Sequence, residues 1–314
     1  MKKKAIIISI KGSKLSSKEK LLLSKEKPWG IILFKRNIIS LNQIKKLISN
    51  IKKATNDNKF PILIDEEGSS VSRLRNIFNH NINANYFGNL YKIDKKLALF
   101  IYKQYLEVLC KNLKKIGINI NTIPVLDVLR KNTNKIIGKR SFSENQRIVK
   151  KLGETSVRKC HLQNIVAVIK HIPGHGCSSV DSHLSMPIVN LSEKQLDKKD
   201  FYPFKLSSAK LAMTAHVLYS KIDSKNVATF SNKIINGIIR KKIGFKGILI
   251  SDDISMKALK YDIATNAKKS LQAGCNLVLY CSGNIKDNFK LIKSVPFIDE
   301  FTSKKTSEIY KIIR

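Results

Sequence analysis

Eight short apolar segments, most of them separated by longer amphipathic ones, constrain the fold of this chain more than any other feature of its sequence. The short segments are rich in β-branched residues and too short for helices, so each is predicted to be a buried strand. The longer segments have apolar residues at positions i, i+3 and i+4, which is typical of helices that bury one face. Ser40 and Ser143 are predicted helix N-caps, and Gly274 is a predicted helix end. The predicted strands are 5–10, 30–34, 60–64, 117–122, 165–169, 211–215, 247–251 and 276–280, and the predicted helices are 41–54, 95–115, 144–161, 231–242 and 265–273.

The alternation of strands and helices predicts a parallel α/β fold, and a closed (β/α)8 barrel of the TIM type fits better than an open sheet. An open dinucleotide-binding sheet would carry G-x-G-x-x-G after its first strand, and this sequence does not. A length of 314 residues suits one barrel, so we expect a single domain over 1–314. Its last part, 284–314, is predicted to be a helical tail packed on the barrel, and 75–94 is predicted to be a long loop over the barrel mouth.

The sequence is strongly basic, with 59 lysine and arginine residues against 23 aspartate and glutamate residues and a formal net charge of +36. Such a charge is compatible with binding to nucleic acid or to an anionic surface. It also arises when a lysine-rich chain places its lysines on solvated helix faces. We favour this second interpretation, because lysine far outnumbers arginine and the lysines are spread along the chain. We therefore predict no specific nucleic-acid partner, but weak and salt-sensitive binding to anions.

Cysteine use and hydropathy bear on the compartment in which the chain works. Five widely spaced cysteines without a CxxC pair are typical of reduced thiols in the cytosol, and they predict neither a disulfide framework nor a zinc site. The first ten residues imitate a signal peptide, but their apolar run is too short, so we interpret it as a strand. The sequence has no segment long enough to span a membrane. We expect a cytoplasmic monomer that uses neither a metal nor an organic cofactor.

Polar clusters follow several of the predicted strands, and the active sites of barrel enzymes lie at the carboxyl ends of their strands. The cluster that carries most of the candidate chemistry is the loop KHIPGHG at 170–176, which is followed by a D-S-H at 181–183. Proline and glycine prevent regular structure there, and a loop with several histidines, a lysine and an aspartate indicates function. The predicted strand 247–251 ends in two aspartates at 252–253. Two strand ends with complementary acid and base groups predict one shared active site.

These motifs, in this order, resemble the single-domain bacterial β-N-acetylglucosaminidases of glycoside hydrolase family 3. The family's K-H-F-P-G-H-G corresponds to 170–176, with Ile172 in place of the aromatic residue, and its D-S-H corresponds to 181–183. Its nucleophile signature, G-F-x-G-x-[LIV]-x-S-D-D-x-S-M, matches 244–256. Further matches are P-V-L-D at 124–127, G-K-R-S-F at 138–142 and M-T-A-H-V at 213–217, so the resemblance extends from about the second predicted strand to the eighth.

The resemblance implies a TIM barrel that hydrolyses a small carbohydrate, namely β-linked N-acetylglucosamine at the non-reducing end of muropeptide fragments from cell-wall recycling. The reaction would retain the anomeric configuration through a covalent glycosyl-enzyme. The resemblance also implies that Asp252 is the nucleophile and that His183, oriented by Asp181, is the general acid/base. The residues that it implies for sugar binding are Asp65, Arg73, Arg140, Lys170 and His171.

Spacing alone leaves other interpretations of the same residues open. An aspartate at a strand tip is more often a helix N-cap, and an isolated D-x-H is more often part of a surface turn. A phosphorylase or a β-glucosidase of the same fold is an alternative function. A third alternative is a non-enzymatic binder of anions or nucleic acid, which the net charge alone would favour.

The sequence departs from the family pattern after the third predicted strand, where E-G-S-S-V at 67–71 replaces the usual E-G-G-R-V. If the second glycine of the family pattern requires a positive φ, Ser69 is strained at that position. Ser70 removes an arginine that would provide a contact or a loop tether. We expect activity to survive both changes.

Overall fold

Eight parallel strands close into a barrel in the computed structural model, which describes residues 2–79, 81–182, 185–205 and 207–313. The fold is therefore the predicted (β/α)8 barrel, and each predicted strand corresponds to one strand of the barrel. The strands are β1 (Lys4–Ile8), β2 (Pro28–Leu33), β3 (Ile62–Ile64), β4 (Ile120–Asn121), β5 (Val166–Ile172), β6 (Ile188–Val189), β7 (Leu211–Thr214), β8 (Leu218–Tyr219), β9 (Ile248–Asp253) and β10 (Leu277–Tyr280). Around the barrel the order is β1, β10, β9, β7, β5, β4, β3 and β2, whereas β6 and β8 pair with each other.

The barrel strands are almost entirely buried, which explains their nearly continuous apolar sequences. Successive residues of a strand point to opposite faces, and Ile7 accordingly packs with Leu63 and Val166 in one cluster. Ile6 and Ile8 belong instead to the larger cluster that also contains the helices. The interior of the barrel is thus filled, and the side chains at the strand ends remain available to form a site.

Helices cover the outside of the barrel, and most of them lie close to their predicted positions. Ser40 caps the second helix as predicted, because its side chain accepts a hydrogen bond from the Gln43 amide. Gly274 ends the seventh helix in the left-handed conformation that favours glycine, also as predicted. The helices are α1 (Ser17–Glu26), α2 (Leu41–Thr55), α3 (Ala84–Ile93), α4 (Lys95–Ile116), α5 (Gln146–Leu162), α6 (Glu193–Lys199), α7 (Ile263–Ala273), α8 (Ile285–Ser294) and α9 (Glu300–Ile312), with a π-helix at Lys233–Lys242.

Two details of the sequence interpretation are wrong. Ser143 does not cap α5, because Asn145 does so, with its Oδ1 accepting a hydrogen bond from the Arg147 amide at 2.9 Å. The segment 75–94 is not one long loop, because α3 occupies its second half. The last residue of that segment, Asp94, caps α4. Among the described residues of this segment, only 75–79, 81–83 and the cap residue Asp94 lie outside regular helices and strands.

The tail that begins near residue 284 consists of α8 and α9, and α9 closes the amino end of the barrel. Ile309 and Ile313 belong to the cluster that fills the barrel interior. The buried indole nitrogen of Trp29 donates to Thr306 Oγ1 at 2.8 Å. Across the described residues, no helix is both long enough and apolar enough to cross a lipid bilayer.

Candidate active site

A cavity of about 410 Å³ opens at the carboxyl ends of the barrel strands. Six of the eight residues predicted to bind or transform a sugar line this cavity, and they come from four different strand ends. The parallel arrangement of the strands therefore brings together residues that are far apart in the sequence. The six residues are Asp65, Arg73, Arg140, Lys170, His171 and Asp252.

Asp252 lies at the end of β9 and lines the cavity. Burial opposes ionisation of its carboxyl group, but electrostatic interactions with His216, His171 and Lys170, together with a hydrogen bond from the Asp253 amide at 2.8 Å, outweigh burial and lower the pKa of Asp252. The carboxylate is therefore ionised at neutral pH, as a nucleophile of this type requires. The segment 254–259 that follows is a turn and not a helix, so the interpretation of Asp252 as a helix N-cap is wrong.

Asp253 and His216 fix the shape of the strand end that carries the candidate nucleophile. Asp253 Oδ1 accepts hydrogen bonds from the amides of Ser255 and Cys281, and its Oδ2 accepts one from Ser255 Oγ at 2.7 Å. Burial raises the pKa of Asp253. His216 Nε2 lies 3.0 Å from the Asp253 carbonyl oxygen, and its Nδ1 lies 2.7 Å from Thr229 Oγ1. These contacts hold both side chains in structural roles.

Two carboxylates and three cations form a continuous network along one wall of the cavity. Lys170 Nζ lies 2.6 Å from Glu67 Oε1 and 3.2 Å from Asp65 Oδ1. Arg140 makes two hydrogen bonds to Glu67, at 2.7 and 2.9 Å, and Arg73 Nη2 lies 3.0 Å from Asp65 Oδ2. Burial opposes ionisation of both carboxylates, but the cations hold the pKa of Glu67 at about 2 and that of Asp65 well below its usual range. The wall thus presents fixed donors and fixed acceptors, which is the combination that sugar hydroxyls need.

Glu67 and Asp127 are residues of the site that sequence reasoning missed. Asp127 is fully buried, its Oδ2 lies 2.6 Å from His171 Nδ1, and its Oδ1 accepts a hydrogen bond from the His175 amide at 2.6 Å. Burial lowers the pKa of His175 to about 4, so its ring is neutral at physiological pH. Both missed carboxylates stand in motifs that follow buried strands, E-G-x-x-V and P-V-L-D, and that position is the signal that could have identified them.

The predicted general acid/base, His183, lies outside the described residues. Its predicted partner Asp181 is half-buried on the loop after β5 and is not part of the cavity lining. Ser182 does line the cavity, and its Oγ lies 3.2 Å from His175 Nε2. Its carbonyl oxygen also accepts a hydrogen bond from the Ala258 amide at 3.2 Å. The loop is thus anchored at the cavity directly before the predicted acid/base.

The two departures from the family pattern have structural explanations. The strain expected at Ser69 does not arise, because Gly68 has the positive φ, +143°. A Cβ atom on Gly68 would lie 2.2 Å from the Ile82 carbonyl oxygen, so only glycine fits there. The amide and the hydroxyl of Ser70 both donate to Asn83 Oδ1 at 2.8 Å. Ser70 therefore tethers the loop at this position with a shorter side chain.

The polar groups at the cavity are carboxylates, imidazoles, an ammonium group, guanidinium groups, the hydroxyl of Ser182 and one thiol. The thiol is that of Cys281, and burial raises its pKa well above the ordinary value, so it is protonated at neutral pH. In the part of the chain that the structure describes, histidine, cysteine and acidic side chains form no group of three or more that could hold a metal ion.

The chain matches the family model described as the glycosyl hydrolase family 3 N terminal domain over residues 2–305. It therefore belongs to glycoside hydrolase family 3, a family of glycosidases. This assignment confirms the family and the enzyme class that the order of its motifs predicted.

Individual relatives agree with this assignment. A protein of Nitrosomonas eutropha named β-hexosaminidase is 33% identical over 282 residues, which cover 88% of this chain and 80% of that protein. The crystal structure of NagZ from Neisseria gonorrhoeae in complex with N-trifluoroacetyl-D-glucosamine has a TM-score of 0.88 and 30% identity, over 98% of this chain and 90% of that chain. A family 3 β-N-acetylglucosaminidase from Paenibacillus sp. has a TM-score of 0.86 over 98% of this chain but 60% of its own length, and at 24% identity it shows the fold alone.

Proposed function

We propose that this protein is a retaining, exo-acting β-N-acetylglucosaminidase that releases terminal N-acetylglucosamine from muropeptide fragments in cell-wall recycling. The observation that carries the proposal is that an ionised Asp252 shares one cavity with a wall of fixed hydrogen-bond donors and acceptors. A cavity of about 410 Å³ suits a small ligand. The name of the Nitrosomonas relative and the glucosamine ligand of the Neisseria structure support the choice of sugar. We also propose that the protein is a monomer and that it acts in the cytoplasm, a location that its free cysteines favour.

Asp252 is proposed to attack the anomeric carbon from the face opposite the leaving group. The bond to the aglycone oxygen breaks, and the sugar becomes esterified to the carboxylate. Water then attacks the same carbon and releases the carboxylate, so the two displacements together retain the configuration. The lowered pKa of Asp252 and its place at the end of a buried strand support this role.

His183 is proposed as the general acid/base, with Asp181 orienting its ring. The imidazolium gives its proton to the departing aglycone oxygen, and the neutral ring then takes a proton from the attacking water. A histidine suits this task because its ordinary pKa lies near neutrality, and a neighbouring carboxylate stabilises the protonated form. The D-S-H motif at 181–183 and the position of Ser182 at the cavity wall support the assignment.

Asp65, Arg73, Arg140, Lys170 and His171 are proposed to hold the hydroxyl groups of the sugar. The three cations among them are already fixed by carboxylates at 2.6 to 3.2 Å, so little side-chain freedom remains to be lost on binding. A sugar held in one orientation presents its anomeric carbon to the nucleophile in the geometry that attack requires.

Hydrolysis of 4-nitrophenyl N-acetyl-β-glucosaminide by wild type and by Asp252→Asn tests the proposal. Asparagine keeps the size of the side chain but is not a nucleophile, so turnover is expected to fall on the order of 10³-fold or more. Asp262→Asn is the matched control, because Asp262 is the exposed N-cap of α7 and asparagine caps helices as well as aspartate does. Undiminished turnover by a folded Asp252→Asn variant would overturn the nucleophile assignment.

Two further measurements separate the alternatives of sugar and acceptor. Faster hydrolysis of 4-nitrophenyl β-glucoside than of the N-acetylglucosaminide would make the protein a β-glucosidase. Release of a sugar 1-phosphate in phosphate buffer, instead of free sugar, would make it a phosphorylase. A 2-fluoro glycoside is expected to label the peptide that carries Asp252, which mass spectrometry would detect.

A further inference from the structure

A second cavity, of about 170 Å³, lies beside the first, between the segments that follow β2 and β3. Arg73 lines both cavities, so its guanidinium group forms part of the wall between them. The other lining residues have no role in the function proposed above. The lining consists of Lys35, Ser70, Ser72, Arg73, Arg75 and Asn76.

The lining of the second cavity includes three cationic side chains and, among the residues that the structure describes, no carboxylate. Asp65 pairs with Arg73 through Nη2, and Asp65 lines only the first of the two cavities. Arg75 Nη2 donates to the Ser69 carbonyl oxygen, which positions this guanidinium group without neutralising it. A concave site with an excess of positive charge attracts anions.

Two polar atoms of the lining residues are buried and, within the described ranges, have no hydrogen-bond partner: Ser72 Oγ and Arg73 Nε. Both can donate a hydrogen bond, and buried donors in folded proteins are nearly always satisfied. The Phe34 ring lies 5.2 Å from the Arg73 guanidinium group and helps to fix its orientation. Protein atoms enclose both donors, so an anion in the cavity would be held by the accessible cationic groups of the lining and not by these two atoms.

The lysine content of the chain does not account for this group of cations. The chain has 50 lysines and nine arginines, so a group assembled without selection would be mostly lysine. Two of the three cations here are arginines, Arg73 and Arg75. The planar guanidinium fork of arginine matches the oxygens of phosphate, which makes arginine the preferred residue for binding this group.

We propose that the second cavity is a subsite for a phosphate monoester carried by the sugar that occupies the first cavity. The inference rests on the proposed function, because it requires an N-acetylglucosamine ring beside Arg73. The primary hydroxyl at C6 extends furthest from the ring, so a 6-phosphate is the substituent best able to reach past Arg73. Lys35 and Arg75 supply the remaining positive charge. The site then accepts 6-phosphorylated N-acetylglucosaminides as well as unmodified ones.

Calorimetric titration tests the inference without requiring turnover, so its outcome is independent of whether the protein proves to be a hydrolase. N-acetylglucosamine and N-acetylglucosamine 6-phosphate are titrated into the wild type at one fixed ionic strength. The phosphorylated sugar is expected to bind about tenfold more tightly, as new charge-assisted hydrogen bonds would give. The ratio of the two dissociation constants is the readout, because it cancels changes that affect sugar binding alone.

In Lys35→Gln/Arg75→Gln the ratio is expected to fall to about one. The matched control is Lys246→Gln/Lys304→Gln, which removes the same charge from two exposed lysines beside the amino ends of β9 and β10, and the ratio should remain near its wild-type value. If the first double variant does not fold, Lys35→Gln alone should still lower the ratio. A ratio near one in the wild type, or an equal fall in both double variants, would overturn the inference.

A titration with inorganic phosphate completes the test, because the cationic lining of the second cavity would also suit a free anion. It is expected to compete with N-acetylglucosamine 6-phosphate and to leave the affinity for N-acetylglucosamine unchanged. If inorganic phosphate binds but the phosphorylated sugar gains nothing over the unphosphorylated one, the cavity takes a free anion and the inference of a sugar-phosphate subsite is wrong.

Discussion

Asp65 and Glu67 are largely buried and yet ionised, because cations lie within 3.2 Å of their oxygens. Asp253, at the end of β9, is bonded to amides and a hydroxyl instead, and burial raises its pKa. The protonation state of a buried carboxyl group therefore follows from its partners as well as from its burial. This difference leads to predictions about individual side chains.

Glu67 is predicted to make the folded state sensitive to acid. Its pKa is about 2 in the folded protein and 4.5 in the unfolded one. A group with a depressed folded pKa stabilises the protein above its unfolded pKa, and the contribution disappears as the pH falls from about 4.5 to about 2. The contribution is roughly 3 kcal/mol. Chemical unfolding between pH 6 and pH 2 should show a smaller loss of stability for Glu67→Gln than for the wild type, by roughly that amount. Parallel curves for the two proteins would contradict the prediction.

Asp127→Asn is predicted to impair catalysis by changing the state of His171. Asp127 Oδ2 accepts a hydrogen bond from His171 Nδ1, which leaves Nε2 free of that proton in the neutral ring. An asparagine that still accepts from the His175 amide would turn its NH₂ group toward Nδ1 and force the other tautomer. We expect kcat/KM to fall about 10- to 100-fold, by analogy with the effect of removing the carboxylate partner of a metal-binding histidine. A pH profile of kcat and KM identical to that of the wild type would show that His171 does not depend on Asp127.

The segment after β4, which carries Arg140, packs closely against α3, and Gly88 in α3 makes this close contact possible. A Cβ atom on Gly88 would lie 1.7 Å from the Phe142 carbonyl oxygen, so α3 contacts the segment after β4 through bare backbone. That segment carries Arg140, which lines the active-site cavity. The close approach thus connects the packing of a helix to the position of a binding residue.

Gly88→Ala is predicted to destabilise the protein although alanine is the better helix former. Alanine would gain up to about 1 kcal/mol from helix propensity, but displacing the Phe142 backbone should cost more, and a net loss of about 1–3 kcal/mol is expected in chemical unfolding. Gly237→Ala in the π-helix is the control, because nothing lies within 4 Å of a Cβ atom there, and it should be neutral or stabilising. If both variants were equally stable, the contact of Gly88 with Phe142 would have no importance.

The strands could be predicted from the sequence, whereas α3 could not. The run 165–169 is β-branched and buried on both faces, so its composition alone indicates a strand. The residues of α3 include asparagine, glycine and tyrosine, which have weak helix propensity. The helix is held by packing, with the Phe87 ring 4.5 Å from that of Tyr102 in α4. Contacts of this kind depend on the closed fold and leave little periodic signal in one segment.

The site was predictable only in part, for a related reason. Motif order placed Asp252 and Lys170 in one site, and the structure brings both to one cavity. Glu67 and Asp127 stood in recognised motifs, but their partners lie 73 and 44 residues further along the chain. A single sequence does not reveal which of several carboxylates meets which cation across the mouth of a barrel. The role of His183 stays a prediction.

At the scale of the whole molecule, the net charge of +36 is predicted to cause binding to polyanions that is unrelated to the active site. The binding constant for a polyanion such as heparin should fall at least about tenfold between roughly 50 and 200 mM salt, because counterion release drives the association. Asp252→Asn should bind as the wild type does, since the cavity takes no part. Heparin binding that does not weaken with salt, or that the Asp252→Asn substitution abolishes, would instead indicate a specific site.

The position of α9 across the base of the barrel has a practical consequence for protein engineering. The residues that keep the molecule folded at that base lie a full barrel length from the segments after β2 and β3. A combinatorial library confined to those two segments would therefore diversify ligand preference on an unaltered scaffold. A reporter dye attached through an exposed position of α9, such as Lys304, would in turn follow unfolding while leaving substrate access unobstructed.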